Sequence, residues 1–458
     1  MLPDDVLLEI YDFYADEGIN EDAYLIKKHI VWWIRLTHVC RRWRRVVFQS
    51  PLRLNLRLVC TNKTPARDAL DIWPPLPLII RDTIGYGPPD VDNIIAALEH
   101  NDRVCRIRLE SFTSLILDSV TNSAAMQKPF PELRYLRLCK NFGEGPTLPD
   151  SFLGGTAPRL QSLILHVSFP SLPKLLLSAT HLVNLDLYRI PGLGYIPPEA
   201  MATSLAGLIS LECFRLHFLH PPPRRTALET RRFPTRSILP SLTKILLRAS
   251  SEYLEVILTR IDAPQLDELR ITFFNQTVFD TPQLFQFINR TPRLRTPEKG
   301  HIDFYPRAVT VGFPRQTFDY GVLEVEILCA VSEWQLSSLE QVCTSSLPPV
   351  STLKDLYILD GSFPNLCWQD DVENTLWLEL LRPFAAVKNL YICKQFVPHI
   401  APVLQELIGG RTTEVLPILE YIFLKGFQSS GPLHEGIEKF VTARRLTSHP
   451  LAVSRWDT

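Results

Sequence analysis

Apolar residues in the first fifty positions recur at three- and four-residue intervals. Val6, Leu7, Ile10, Phe13 and Tyr14 form one stripe over residues 3–14, the period of an amphipathic helix. Pro3 suits its first turn, and Asp4 and Asp5 stand where carboxylates favour the positive end of a helix dipole. Trp32, Leu36, Val39, Trp43, Val46 and Val47 repeat the spacing up to Ser50-Pro51, where a helix should stop. The pattern predicts a small unit of two or three helices over residues 1–50. The period then changes to two. Leu52, Leu54, Leu56 and Leu58, followed by Leu76 to Ile80, read as strands in a connecting stretch over residues 51–100.

Beyond that point one motif returns: aliphatic-x-x-aliphatic-x-aliphatic. It starts at Val104, Leu133, Leu160, Leu182, Leu211, Leu242, Leu266, Val322, Leu353, Val387 and Leu419, with spacings of 22 to 34 residues and one gap of 56. Leu294 falls midway across that gap, but Pro297 argues against a strand there. Single matches mean little in an aliphatic-rich chain. The prolines sharpen the signal: Pro131, Pro158, Pro240, Pro264, Pro292 and Pro417 each stand two residues before a start, although proline is only 38 of 458 residues. There a proline would end the preceding helix and extend the chain into a strand. The intervening segments, such as 171–181 and 251–261, suit helices. The predicted class is α/β, with a strand-plus-helix array over residues 101–440 and a tail over 441–458.

Composition narrows the function. Lys plus Arg is 48 against 49 for Asp plus Glu, a net charge of −1, so no global field draws the chain to nucleic acid or an anionic membrane. The basic cluster Arg41, Arg42, Arg44 and Arg45 spreads around a helix and reads as solvated surface. The nine cysteines form no C-x-x-C pair, which points to reduced thiols rather than disulfides or zinc. The N-terminus lacks the pattern of a signal peptide, and the longest early apolar run, Ile30 to Ile34, is far below the ~20 residues a membrane span needs. Cytoplasm or nucleus is the expected location. Hydrolase, P-loop, dinucleotide and zincin motifs are absent from the sequence. His217 and His220 lack a third ligand at metal spacing, and Asp370-Asp371 has no partner for acid–base work. No catalytic residue, cofactor or metal is expected. The Pro221 to Arg236 segment, basic and proline-rich, reads as an exposed loop.

Leu2-Pro3-Asp4-Asp5-Val6-Leu7-Leu8-Glu9-Ile10, followed by Val39-Cys40-Arg41-Arg42-Trp43-Arg44, resembles an F-box, with a separation between the two halves about a dozen residues longer than the family's. The array resembles irregular leucine-rich repeats, although the asparagine expected after the strand appears only at Asn141. Residues Ala443 to Pro450 and Trp456 are similar to the tail of many fungal F-box proteins of this kind. The resemblance implies a horseshoe solenoid behind an F-box, serving as the substrate receptor of an SCF ubiquitin ligase. Leu2, Pro3, Val6, Leu7 and Ile10 would meet a Skp-type adaptor of the cullin-based ligase, and the repeats would hold a target protein. The alternative is a repeat scaffold whose F-box engages no ligase.

In such a solenoid the x positions of each strand face the concave side. They are Arg106, Arg108, Tyr135, Arg137, Ser162, Asn184, Asp186, Arg215, Lys244, Glu268, Arg270, Glu324, Glu326, Asp355, Tyr357, Asn389, Tyr391, Tyr421 and Phe423. The order runs from basic through acidic to aromatic. It predicts a strip in which Arg106, Arg108, Arg137, Arg215, Lys244 and Arg270 take an acidic or phosphorylated target segment, while Tyr357, Tyr391 and Tyr421 supply apolar anchors.

Overall fold

The computed structural model describes residues 3–16, 32–51, 54–63, 65–82, 90–110, 112–139, 147–169, 171–221, 236–276, 278–295, 297–314, 323–329, 333–361, 373–408, 413–425, 432–446 and 450–456. Leu2, Asn141, Val322, Asp370, Asp371 and most of the basic proline-rich segment lie outside them. The chain forms two compact units, Met1–Ile196 and Pro197–Thr458.

The first unit begins with helices α1 (Asp4–Asp16), α2 (Trp32–Thr37) and α3 (Arg41–Gln49). The apolar stripe predicted from Trp32 to Val47 is thus two helices, broken at His38–Cys40, and Val39 at the break is 57% exposed. Tyr11 meets Trp43 edge to face at 5.4 Å, and Asp4 pairs with Arg42 at 2.6 Å. Strands and helices then alternate: β1 (Leu58–Thr61), α4 (Ala66–Ile72), β2 (Leu78–Arg81), α5 (Val91–Leu98), β3 (Val104–Leu109), α6 (Ser114–Thr121), β4 (Tyr135–Leu138), β5 (Ser162–Leu165), α7 (Leu172–Ser178) and β6 (Asn184–Ile190). All six strands pair in parallel and in sequence order. Within residues 51–100, expected to hold connecting strands, β1 and β2 join this sheet. The helices are the crossovers that parallel neighbours require. Trp33 donates its indole N–H to the Arg57 carbonyl at 3.1 Å and packs on Phe48 and Trp73, tying α2 to the start of β1.

The second unit contains α8 (Pro198–Leu205), β7 (Cys213–Phe218), β8 (Ser237–Ile238), β9 (Lys244–Ala249), α9 (Ser251–Arg260), β10 (Ile261–Asp262), β11 (Glu268–Phe273) and α10 (Pro282–Arg290). It continues through β12 (Lys299–Tyr305), β13 (Ala308–Phe313), β14 (Leu323–Leu328), α11 (Glu333–Ser345), β15 (Asp355–Asp360), α12 (Asn374–Leu381), β16 (Asn389–Ile392), α13 (Val397–Glu406), β17 (Tyr421–Lys425), α14 (Pro432–Leu446) and β18 (Ala452–Trp456). Its main sheet runs β7-β9-β11-β14-β13-β12-β15-β16-β17-β18. The pairs are parallel except around β13, which is antiparallel to both β12 and β14. Within the predicted tail 441–458, residues 441–446 end α14 and 452–456 form β18, paired in parallel with β17.

Each predicted start among the described residues leads into a strand. The prolines act differently from expectation. Pro131, Pro158, Pro240, Pro264, Pro292 and Pro417 occupy the second position of a four-residue turn. That turn is closed when Leu133, Leu160, Leu242, Leu266, Leu294 and Leu419 donate their N–H to the carbonyl three residues earlier, at 3.1 to 3.3 Å. Proline's fixed φ suits this position, and the closing leucine is buried each time. Only Pro292 directly follows a helix. Leu294 closes the same kind of turn, with the strand that follows delayed past Pro297 to β12. The carbonyl of Glu298 then accepts from both Lys354 and Asp355, as Lys354 and Lys388 do for the strands that follow them.

Strand residues alternate in burial. One set, such as Leu136, Leu163, Leu185, Leu269, Leu356 and Leu390, is fully enclosed on the side where α5, α9 and α11 meet the sheet. Each such side chain contributes ~1.5–3 kcal/mol. The other set is partly exposed and carries the polar chemistry.

Candidate functional site

The register places the partly exposed residues in rows across the strands. In the first unit Arg106, Tyr135, Ser162 and Asn184 form one row, and Arg108, Arg137, Ile164 and Asp186 the next. The Arg106 guanidinium lies 4.4 Å from the centre of the Tyr135 ring. Glu110 pairs with Arg108 at 2.6 Å and also with Arg137, while its own N–H donates to Asp82 at 2.8 Å. Two arginines predicted to face a target are thus already paired within the sheet.

In the second unit one row runs Arg215, Leu246, Arg270, Glu324, Gly312, His301, Tyr357, Tyr391 and Phe423. Its cations also have neighbours. Lys244 and Arg270 each lie 2.7 Å from Glu268, and Arg270 reaches Glu324 at 4.0 Å. Thr272 donates to Glu326 at 2.8 Å. The predicted basic stretch is here a lattice of alternating charges.

His301 and Asp303 join this face because β12 fills the gap in the repeat pattern; the sequence reading missed both. Delayed behind Pro297, β12 shows no motif start of its own, although Gly300, Ile302 and Phe304 alternate with His301 and Asp303. Across from His301, an added Cβ on Gly312 would sit 2.3 Å from the imidazole. Glycine lets the ring lie over β13, where it comes 3.5 Å from Asp303. Burial raises the Asp303 carboxyl above its usual range, opposed by His301. Burial also raises Glu324, with Arg270 and His301 opposing and Glu326 and Asp303 adding to the rise.

A raised carboxyl binds its proton more tightly when folded, so stability falls as pH rises from the unfolded value through the folded one. Asp303→Asn should therefore raise the melting temperature at pH 7, with the gain shrinking as pH falls through the raised folded value and lost below about 4. Thermal melts at both pH values read this, and an unchanged melting temperature at pH 7 would contradict it.

At the C-terminal end the aromatic positions form a stack. Tyr357 and Tyr391 lie 4.2 Å apart at 9°, and Tyr391 and Phe423 4.5 Å apart at 8°. Trp456 on β18 meets Tyr357 and Tyr391 edge to face at 5.7 and 5.4 Å, and Lys425 lies over its ring at 5.2 Å. Tyr421, 43% exposed, continues the stack at 6.0 Å from Phe423. Burial keeps the phenols of Tyr357 and Tyr391 neutral. Of the three predicted anchors, Tyr421 is the most open; the other two are partly covered by Trp456, a cover visible only in the tertiary structure.

Among the predicted adaptor residues, Pro3 is exposed and Val6 and Ile10 are half-buried, whereas Leu7 is 1% exposed and turns inward beside Tyr11. A side chain enclosed in its own helices offers no surface to a partner, so Leu7 belongs to the core. His217 and His220 are part of no cluster: among the described residues there is no group of three or more His, Cys, Asp or Glu able to hold a metal. No described helix is long and apolar enough to cross a membrane. Compared with known proteins, the chain matches no family model and no curated protein.

Proposed function

We infer that this chain is a non-catalytic target receptor of an SCF-type ubiquitin ligase, with an F-box at its N-terminus and an irregular leucine-rich-repeat solenoid behind it. The observation that carries the reading is the recurring unit of a turn, a buried leucine and a strand, in most cases followed by a helix, stacked in parallel and in sequence order except where β14, β13 and β12 reverse it. Each such unit buries its apolar face only against its neighbours, as repeat proteins do. The short helices α1–α3 precede it: α1 follows the Leu-Pro start in sequence, and Val39-Cys40 of the Val-Cys-x-x-Trp segment lie in the break before α3. In this reading Pro3, Val6 and Ile10 contact a Skp-type adaptor, the repeats hold the target, and partner subunits supply the chemistry.

Co-purification with a Skp-type adaptor tests this. The double variant Val6→Asp/Ile10→Asp keeps Leu7 and Tyr11 in the core and should lose capture by at least tenfold, since two anchors worth ~1.5 kcal/mol or more each are charged. Equal capture by wild type and variant, or none by wild type, would defeat the ligase reading and leave a repeat scaffold.

A further inference from the structure

A groove of about 680 Å3 runs along the starts of the strands in the first unit. Its lining spans the turn before β1 through the first residue of β6, with Arg57 at one end and Asn184 at the other. Six parallel strands at ~4.8 Å spacing make this about 24 Å, the reach of roughly seven extended residues. The volume lies in the usual range for ligand sites.

Four arginines line it: Arg57, Arg103, Arg106 and Arg134. Arg103 is committed to the protein, donating to the Leu76 carbonyl at 3.0 and 3.1 Å and to Pro74 at 3.4 Å. Arg57 is steadied by the Asn55 side chain at 3.2 Å. Stacking on Tyr135 fixes the plane of the Arg106 guanidinium. Arg134 is exposed. Of the two lining carboxylates, Glu132 is already paired with Arg159, which leaves Asp102 beside Arg57 and Arg134. Amide side chains from Gln161 and Asn184 complete the far end.

We propose that this groove binds an extended acidic peptide segment, about seven residues long, laid across the strand starts. The arginines take carboxylate or phosphoryl groups through paired N–H donors, and the amides take the peptide backbone. A nucleic acid fits less well, because the one lining aromatic ring, Tyr135, has its face covered by Arg106 and offers no platform for a base. The inference deepens the target-binding half of the receptor reading by naming a target class.

Fluorescence anisotropy on the full chain tests it, with labelled heptapeptides of glutamate, of phosphoserine alternating with glycine, and of lysine, and with a seven-nucleotide single strand. Either acidic peptide should bind and the lysine peptide should not; the ratio between the acidic two separates carboxylate from phosphoryl recognition. Arg57→Gln/Arg134→Gln should weaken binding at least tenfold with an unchanged melting temperature. Arg382→Gln, in the other unit, should bind as wild type does. Binding of neither acidic peptide, equal binding by the double variant, or tighter binding of the oligonucleotide would overturn the proposal. Adaptor capture is scored separately, so a failed groove does not count against the F-box, nor the reverse.

Discussion

Leu7→Asp is expected to unfold helices α1–α3 rather than merely weaken a contact. The leucine is 1% exposed beside Tyr11 at 0%. The change removes about 2 kcal/mol of burial and adds the cost of an unpaired carboxylate among apolar groups, several kcal/mol more. A unit this small rarely holds more than ~3–5 kcal/mol in its core. Hydrogen exchange should show lost protection across residues 4–16 and 32–49, while Ile10→Asp leaves it largely intact. Retained protection in Leu7→Asp would contradict the inward packing. The contrast matters for function: loss of adaptor capture in Leu7→Asp reports unfolding, whereas loss in Val6→Asp/Ile10→Asp reports a surface.

Arg444→Met is the second large effect. Arg444 is 0% exposed, and its guanidinium donates to the carbonyls of Leu416 at 2.8 Å, Pro417 at 3.3 Å and Leu419 at 3.4 Å. It lies over Phe440 at 5.8 Å. These carbonyls belong to the proline turn before β17, where Leu416 adopts φ 50°, a left-handed conformation that costs ~1–3 kcal/mol outside glycine. Methionine fills similar space and makes none of the bonds. The Leu416 carbonyl keeps the Leu419 N–H, but those of Pro417 and Leu419 are orphaned at ~1–3 kcal/mol each, so a loss of about 4 kcal/mol is expected. Urea unfolding followed by tryptophan fluorescence, with hydrogen exchange over residues 413–456, measures it. A change below about 1 kcal/mol would mean that the turn holds itself.

Arg444 repeats a device used elsewhere. Arg290 donates to the carbonyls of Leu258 at 2.6 Å and Ile261 at 2.9 Å, and Arg103 serves those of Leu76 and Pro74. In each case a long cation donates to carbonyls just before a strand or at its start. From the sequence alone Arg444 was only part of a family-like tail with no derivable chemistry. Its use depends on α14 lying against the turn of the preceding repeat.

The same division holds throughout the molecule. Strand positions were legible from the chain, because the period-two pattern and the proline turn are local: a fixed φ at one residue and a buried leucine two residues later suffice. The exposed row was legible for the same reason, since alternate residues of a strand must face opposite sides. Which strands pair, and in which direction, was not. The antiparallel β13 and the delayed β12 depend on contacts across the sheet, and they brought His301 and Asp303 into a face where the motif showed a gap. Charge was likewise readable as a series of residues but not as a field. Only neighbouring strands reveal that Glu110 holds Arg108 and Arg137 and that Glu268 holds Lys244 and Arg270. The cations of the groove were partly hidden because Arg57 and Arg134 sit just before β1 and β4, outside the strands themselves. Local periodicity thus determined the repeat and its exposed face by itself. Strand order, the pairing of buried charge and the inward turn of Leu7 were decided by tertiary structure, because each depends on residues far apart in the chain.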